Sequence, residues 1–262
     1  MRPTISVLIP AYNAQSTLKK AISSVLSQSQ PADQIVVVND GSKDETAAII
    51  DSFQAEPAFE GCHLSKNKGF VGALNYGLSR CTGEWVVRLD ADDWWDDNHL
   101  AEIFQVVSNP ENQAYSMIGL RARYFDEQGC ELGLSPGPLN YQEVRRFLVK
   151  DNPFVHSGVA FRRNAVKSLG GYSETSRWKG GFEDYELWIA LASVGNATVL
   201  PQVTVNYLKA QGSLSSIRKQ ESLNDRFVLQ RKAWGRFWRQ APVRSSVILA
   251  ASWARLAFMR NF

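Results

Sequence analysis

The densest concentration of reactive side chains is Asp90-Ala91-Asp92-Asp93-Trp94-Trp95-Asp96-Asp97, with five carboxylates in eight residues directly after the apolar run Trp85 to Leu89. Carboxylates this crowded repel one another unless a cation sits among them. Hard divalent ions such as Mg²⁺ or Mn²⁺ take oxygen ligands, often one or two carboxylates plus substrate phosphates. In an extended chain Asp90 and Asp92 point to the same side, which makes them the candidate pair for such an ion. Asp96 and Asp97 instead precede a helix predicted over Asn98 to Val107 and read as complements to its dipole. A second polar turn, Asn39-Asp40-Gly41-Ser42-Lys43-Asp44, follows another apolar run. A carboxylate there can accept an imide or amino N–H of a nucleobase, although a plain turn with Asp44 capping a helix explains the same residues. Glu183 and Asp184 open a third predicted helix, where acids complement the dipole or serve as a general base. They point about 100° apart, so they cannot share one job. Of His63, His99 and His156, only His156, in Asn152-Pro153-Phe154-Val155-His156-Ser157-Gly158, sits in a context that points to a site.

The elements that must position these residues alternate. Ile5 to Ile9 and Ile35 to Val38 are short, branched, continuously apolar runs of strand length, as is Trp85 to Leu89. Between them Leu18, Ala21, Ile22, Val25 and Leu26 recur at helical spacing, with Asn13 or Ser16 as N-cap. Ala47, Ile50 and Phe53, then Val71, Leu74 and Leu78, mark two more helices. Strands apolar on both faces and alternating with helices define a parallel sheet covered by helices. Ligands bind such sheets outside the carboxyl ends of the strands, where Pro10, Asp40 and Asp90 fall. Further on, Tyr115 to Phe125 reads as one long strand or a hairpin, Gly129 to Pro138 as a loop, and Tyr141 to Lys150 as a helix. Val155 to Arg162 follows as a strand, Glu183 to Val194 as a helix, and segments near 221–240 and 243–259 as two more helices.

The chain has 262 residues, 44% of them hydrophobic and 21% charged, which is globular composition. The formal net charge of +3 is a sum of unlike parts. Residues 218–262 hold ten Lys+Arg against two Asp+Glu, and the other 217 hold 19 against 24. Cys62, Cys81 and Cys130 form no C-x-x-C pair, which argues against a zinc site and a disulfide framework and for a reducing compartment. No glycine-rich phosphate loop is present, so dinucleotide-binding and P-loop readings lose their main support. Ile5 to Ile9 is too short for a signal peptide and Val247 to Ala254 too short to span a bilayer. A soluble or peripherally bound chain is therefore expected, either free in the cytoplasm or peripheral on the inner face of the membrane.

Taken as an ensemble over residues 4–215, these segments resemble glycosyltransferase family 2. The carriers are Ile5 to Asn13, Ser24-Val25-Leu26-Ser27-Gln28, Val38 to Asp44, Asn67-Lys68-Gly69 through Asn75-Tyr76-Gly77, Asp90-Ala91-Asp92, Gly170-Gly171-Tyr172 and Glu183-Asp184. The resemblance implies an α/β GT-A fold: a Rossmann-like, mostly parallel sheet flanked by helices, with a C-terminal helical extension. It implies inverting transfer of a sugar from a nucleotide-diphosphate sugar, commonly a UDP-sugar, to a glycan or lipid-linked acceptor in bacterial-type polysaccharide or glycolipid assembly. By the same resemblance, Pro10, Ala11, Tyr12 and Asp40 border the base, and Lys68 and Gly69 lie near the donor nucleotide. Asp90 and Ala91 meet its ribose or sugar, Asp92 holds Mn²⁺ or Mg²⁺, and Asp184 is the catalytic base with Glu183 assisting. Asn39 stands where the family often has a first aspartate, and Ala210 where it often has a histidine facing the metal or diphosphate.

Two other readings compete. A sugar nucleotidyltransferase would show a basic, glycine-rich loop after the first strand, and Pro10-Ala11-Tyr12-Asn13 is no such loop. A non-catalytic nucleotide-binding module would lack Asp92 or Asp184, and both are present. The division expected is a catalytic domain over 1–217 and a basic amphipathic helical tail over 218–262. The tail's Trp234, Phe237, Trp238, Trp253 and Phe258, interleaved with arginines, either pack on the body or rest on anionic lipid. Nucleic acid is not expected as a partner, since no binding-fold signature accompanies the charge.

Overall fold

A computed structural model describes residues 2–174, 181–209 and 223–237. The chain begins with β1 (Ile5–Ala11), α1 (Leu18–Leu26), β2 (Gln34–Asn39), α2 (Thr46–Asp51), β3 (Phe59–His63), α3 (Gly69–Arg80) and β4 (Trp85–Arg88). β1 pairs in parallel with β2 and β4, and β2 with β3. Successive residues of β1 enter opposite cores. Val7 and Ile9 pack with Ile22 and Val25 of α1 on one face, and Leu8 packs with Leu74 and Leu78 of α3 on the other. Each such fully buried side chain contributes about 1.5–3 kcal/mol, which is why continuous apolar runs became interior strands. α3 lies unusually close to the sheet, because a Cβ on Gly77 would sit 2.2 Å from Leu8 Cδ1.

Beyond β4 come β5 (Trp94–Trp95), α4 (His99–Val107), β6 (Tyr115–Phe125), β7 (Glu131–Leu134), α5 (Tyr141–Leu148), β8 (Val159–Arg162), α6 (Arg163–Ser168), α7 (Glu183–Val194), β9 (Asn196–Leu208) and α8 (Leu223–Phe237). The sheet order is β3-β2-β1-β4-β8-β6-β9-β5, with β7 beside β6. β8 runs antiparallel to both β4 and β6, so a parallel block joins a mixed one. β6 forms one long strand, and β7 falls inside the stretch expected to be loop. β9 accommodates Pro201 by a register jump: Gly119 faces Val199 but Arg121 faces Val203. Pro201 itself is exposed there.

The first tail helix packs on the body. Leu229, Ala233 and Phe237 of α8 are buried in the same core as Leu187 and Leu191 of α7 and Val144 of α5. The second helix expected, near 243–259, lies outside the described residues. Neither Asn13 nor Ser16 caps α1; Thr17 occupies that position. Asn13 adopts φ +49° and uses Oδ1 to accept the Lys43 N–H at 2.9 Å. Among the described residues no helix is long and apolar enough to cross a membrane.

Candidate active site

Two clusters gather at the carboxyl ends of β1, β2 and β4, and a third opens α7. The first holds Asp40. β1 delivers Pro10 and Ala11 to the sheet edge, and the Asp40 N–H donates to Ala11 O at 2.9 Å. Tyr12 lies just outside, 49% exposed. Asp40 is buried, and its Oδ1 accepts the backbone N–H of Lys68 at 2.7 Å. That contact depends on Gly41, at φ +68°, because a Cβ there would lie 2.7 Å from Asn67 N and 2.8 Å from Lys66 C. Asn39 needs no charge for its part, since its Oδ1 accepts the Ser42 N–H at 2.9 Å. Two further bonds, Asn13 N–H to Ser42 Oγ and Lys43 N–H to Asn13 Oδ1, fasten the two strand-end loops together. Asp44 is not the N-cap of α2, where Glu45 stands; it accepts from Thr46 and Gln15, and these bonds hold its carboxyl below the usual range against a burial cost. Lys68 and Gly69 begin α3 beside a cleft of 720 Å³ lined by Lys66, Lys68, Tyr76 and Glu174, within the size range of ligand sites.

The second cluster is the acidic loop, and the fold separates its members by environment. Asp90 receives Arg88 Nη2 on Oδ1 at 2.6 Å and Ser157 Oγ on Oδ2 at 3.0 Å. Burial opposes its charge, but the Arg88 guanidinium with these bonds holds its pKa below the ordinary value. Asp92, with Ala91 half-buried between the two, is pushed up to about 6 by burial and by the charge of Asp90. A carboxylate that burial and a fixed anion both destabilise is one that a cation relieves. Asp93 turns inward to Ser157 Oγ and the Leu208 N–H, and burial with the two neighbouring aspartates raises it far above the carboxylate range. Asp96 does not serve the dipole of α4. It accepts Asn206 Nδ2 at 2.8 Å and faces Arg123, tying the loop to β9 and β6.

Among the described residues no three ligating side chains converge. The donor set, one available carboxylate with a second held beside it, fits a hard cation that completes its shell with phosphate oxygens. The segment containing Ala210, Gln211 and Ser213 lies outside the described residues.

The third cluster opens α7. Glu183 is buried and Asp184 half-buried. Asp184 Oδ1 accepts the Tyr185 N–H at 2.6 Å and Oδ2 accepts Asn152 Nδ2 at 2.8 Å. Burial, then the charge of Glu183, push Asp184 up to about 8, and the charge of Asp90 also reaches it. The strand-end and helix-side acids therefore share one electrostatic environment, although 94 positions separate Asp90 from Asp184 in the chain.

His156 belongs here but as a support. Burial and the adjacent Arg88 depress it to about 3, so it is neutral. Arg88 Nε donates to its Nε2 at 3.2 Å and Tyr172 OH lies 3.0 Å from the same nitrogen. His99 is likewise lowered to about 3 by burial and stacks on Trp95. The buried Arg88 and Ser157 and the half-buried Asn152 escaped the sequence reading as partners of these acids. The one available signal for Arg88 was a charge inside an otherwise apolar strand.

A strand-end carboxylate set on this mixed sheet defines the class: a glycosyltransferase of the GT-A fold. The chain belongs to glycosyltransferase family 2, whose model (Glycosyl transferase family 2) matches residues 6–170. It is 33% identical over 225 residues to the amylovoran biosynthesis glycosyltransferase AmsE of Erwinia amylovora, covering 84% of this chain and 80% of that one. It is 27% identical to the UDP-Gal:alpha-D-GlcNAc-diphosphoundecaprenol beta-1,3-galactosyltransferase of Escherichia coli, over 78% of this chain and 74% of that one. Among solved structures, TarS 1–349 of S. aureus in complex with UDP-GlcNAc superposes with a TM-score of 0.71 at 19% identity, covering 95% of this chain and 71% of that one. The mannosyltransferase PcManGT of Pyrobaculum calidifontis, in complex with GDP-Man and Mn²⁺, gives 0.65 at 20% identity, over 98% and 81%.

Proposed function

We propose that the chain is an inverting, metal-dependent transferase acting on a nucleotide-diphosphate sugar, with a glycan or lipid-linked acceptor. The observation that carries this is the division of labour among the acids. Asp90 is held as an anion, Asp92 is left available to a cation, and Asp184 is tuned upward on the facing helix.

Asp40 takes the base. With Oδ1 occupied by Lys68, Oδ2 accepts an imide N–H. Uracil and guanine carry such a hydrogen on the ring, whereas cytosine and adenine do not. UDP-sugar is the preferred donor, in line with the UDP-Gal and UDP-GlcNAc named for two similar proteins; GDP-Man, named for another, obeys the same rule. Pro10, Ala11 and Tyr12 border the base, Lys68 and Gly69 face the nucleotide, and Asp90 with Ala91 positions ribose or sugar. Asp92 holds Mn²⁺ or Mg²⁺, which when bound neutralises charge on the leaving diphosphate. Asp184 removes the acceptor hydroxyl proton as that oxygen bonds to the anomeric carbon. The bond from that carbon to the diphosphate breaks on the opposite face, and nucleoside diphosphate departs with inversion. Burial, assisted by the charge of Glu183, keeps the pKa of Asp184 high enough for the task.

A thermal-shift panel of UDP- and GDP-sugars with Mn²⁺ tests the donor assignment. A ligand at 100 times its Kd adds about 2.7 kcal/mol of apparent stability. Asp92→Ala is expected to lose the Mn²⁺-dependent part of that shift while keeping the shift given by nucleotide alone. An undiminished Mn²⁺ effect in Asp92→Ala would remove the metal from Asp92.

The body over 1–217 carries this chemistry, and the tail over 218–262 presents a basic surface to anionic lipid on the inner face of the membrane. Because α8 is built into the core, the informative truncation removes only 238–262, which hold four arginines and no acid. That truncation is expected to melt like the full chain and to lose pelleting with phosphatidylglycerol vesicles. Unchanged pelleting would place lipid contact elsewhere.

A further inference from the structure

We propose that Asn152 is the positioning residue for the Asp184 carboxylate: its side-chain amide holds the base in line, and the end of α5 together with α8 holds the amide. This rests on the reading of Asp184 as the base.

The side-chain orientation of Asn152 is set by its two partners. Its Oδ1 accepts the Phe154 N–H at 3.0 Å, so its Nδ2 is the atom that faces Asp184 Oδ2 at 2.8 Å. The reverse flip would set an amide hydrogen against a backbone N–H and an oxygen against a carboxylate. Asp184 is then gripped at both oxygens, by Asn152 and by the Tyr185 N–H. Two contacts at different oxygens fix the carboxylate plane, which a single contact cannot do.

The backbone that carries Asn152 is fixed from three directions. Tyr185 OH donates to Leu148 O, Gln230 Nε2 of α8 donates to Lys150 O, and Arg226 of α8 pairs with Asp151. The same segment continues to His156 and Ser157, which hold Arg88, Asp90 and Asp93. Residues 152–157 therefore set the acids on both sides of the reaction. The charged groups whose fields reach Asp184 are Glu183 on its own helix and Asp90 across the site. The Asn152 amide is the side-chain donor that favours its ionised form, and so it lowers the proton affinity that burial raises.

The test uses the full chain with Mn²⁺ and the donor selected by the panel above, following nucleoside diphosphate release against pH. Asn152→Asp keeps the acceptor for Phe154 N–H, removes the donor to Asp184 and sets a second carboxylate beside it. Asn152→Ala removes the donor without adding charge and covers the case in which the aspartate does not fold. Misplacing a reacting group by about 1 Å costs up to about 100-fold. The expected result is a 10- to 100-fold fall in kcat, roughly within that bound, with donor affinity and melting midpoint near wild type. The acid limb of the pH profile is expected to move to higher pH, further for the aspartate than for the alanine. A folded variant with wild-type kcat and an unmoved acid limb overturns the proposal. If Asp184→Asn itself keeps full turnover, the base assignment falls and the positioning role with it. If Asp184→Asn is inactive while both Asn152 variants are normal, the positioning role alone falls.

Discussion

Asp184→Asn is expected to lower turnover by about 10²–10⁴-fold, the usual contribution of a positioned general base, while nucleotide-sugar still binds. The amide replaces the carboxylate within the same volume, so the loss is chemical and not steric. The wild-type profile should also carry the signature of this group. Asp184 must be ionised to accept a proton, and burial with the charge of Glu183 places its pKa at about 8. Turnover in the wild type should therefore rise with pH through that region.

Stability has the opposite slope. The folded pKa of Asp184 lies above the ordinary carboxylate value of 3.8. The group's contribution is fully present below that unfolded value and is lost as pH rises towards 8. Melting points followed from pH 4 to 9 should fall more steeply in wild type than in Asp184→Asn, by an amount equivalent to a few kcal/mol. Parallel curves together with a wild-type rate would remove Asp184 from the reaction. A carboxylate whose charged form the fold disfavours would, if it is the base, be a stability–activity trade-off of the kind common at active sites.

Arg88→Met should produce the largest loss of stability. Arg88 is fully buried on the edge of β4, donating to Leu8 O, Leu89 O, His156 Nε2 and Asp90 Oδ1. Methionine fills much of the volume but leaves Asp90 with Ser157 alone. Breaking a buried pair from one side costs about 3–5 kcal/mol. At 2–4 °C per kcal/mol, that is a fall in Tm of roughly 10 °C. The double variant Arg88→Met with Asp90→Asn removes the orphaned charge and should recover part of the loss. That recovery in a double-mutant cycle is the measure of the pair. Additive losses would show that Arg88 acts through its carbonyl contacts and not through Asp90.

The parts of the fold legible in the chain were those governed by local physics. β1, β2 and β4 announced themselves as continuous branched runs, and α1 and α3 by periodicity. β3 escaped because Glu60, Gly61 and His63 interrupt its apolar pattern, and β9 because Pro201 and Gln202 break it in the middle. β7 lies in a glycine-rich stretch and forms only because β6 offers it an edge. The acids at the strand ends were legible by type and position. Their individual roles were not. Asp96 looked like a helix complement, yet it faces Asn206, 110 positions away.

The sequence by itself determined the sheet-and-helix alternation, the strand ends at which Asp40, Asp90 and Asp92 gather, and the acids at the head of α7. Each follows from side-chain period, turn chemistry or like-charge crowding, which act over a few residues. Tertiary structure alone decided which acid is anchored, which is available and which is raised. Those states depend on Arg88, Ser157 and Asn152 reaching carboxylates, two of the three contacts across 32 and 67 positions of chain. Proton affinity depends on what lies within a few ångströms in space, and the spacing of residues along the chain does not contain that information.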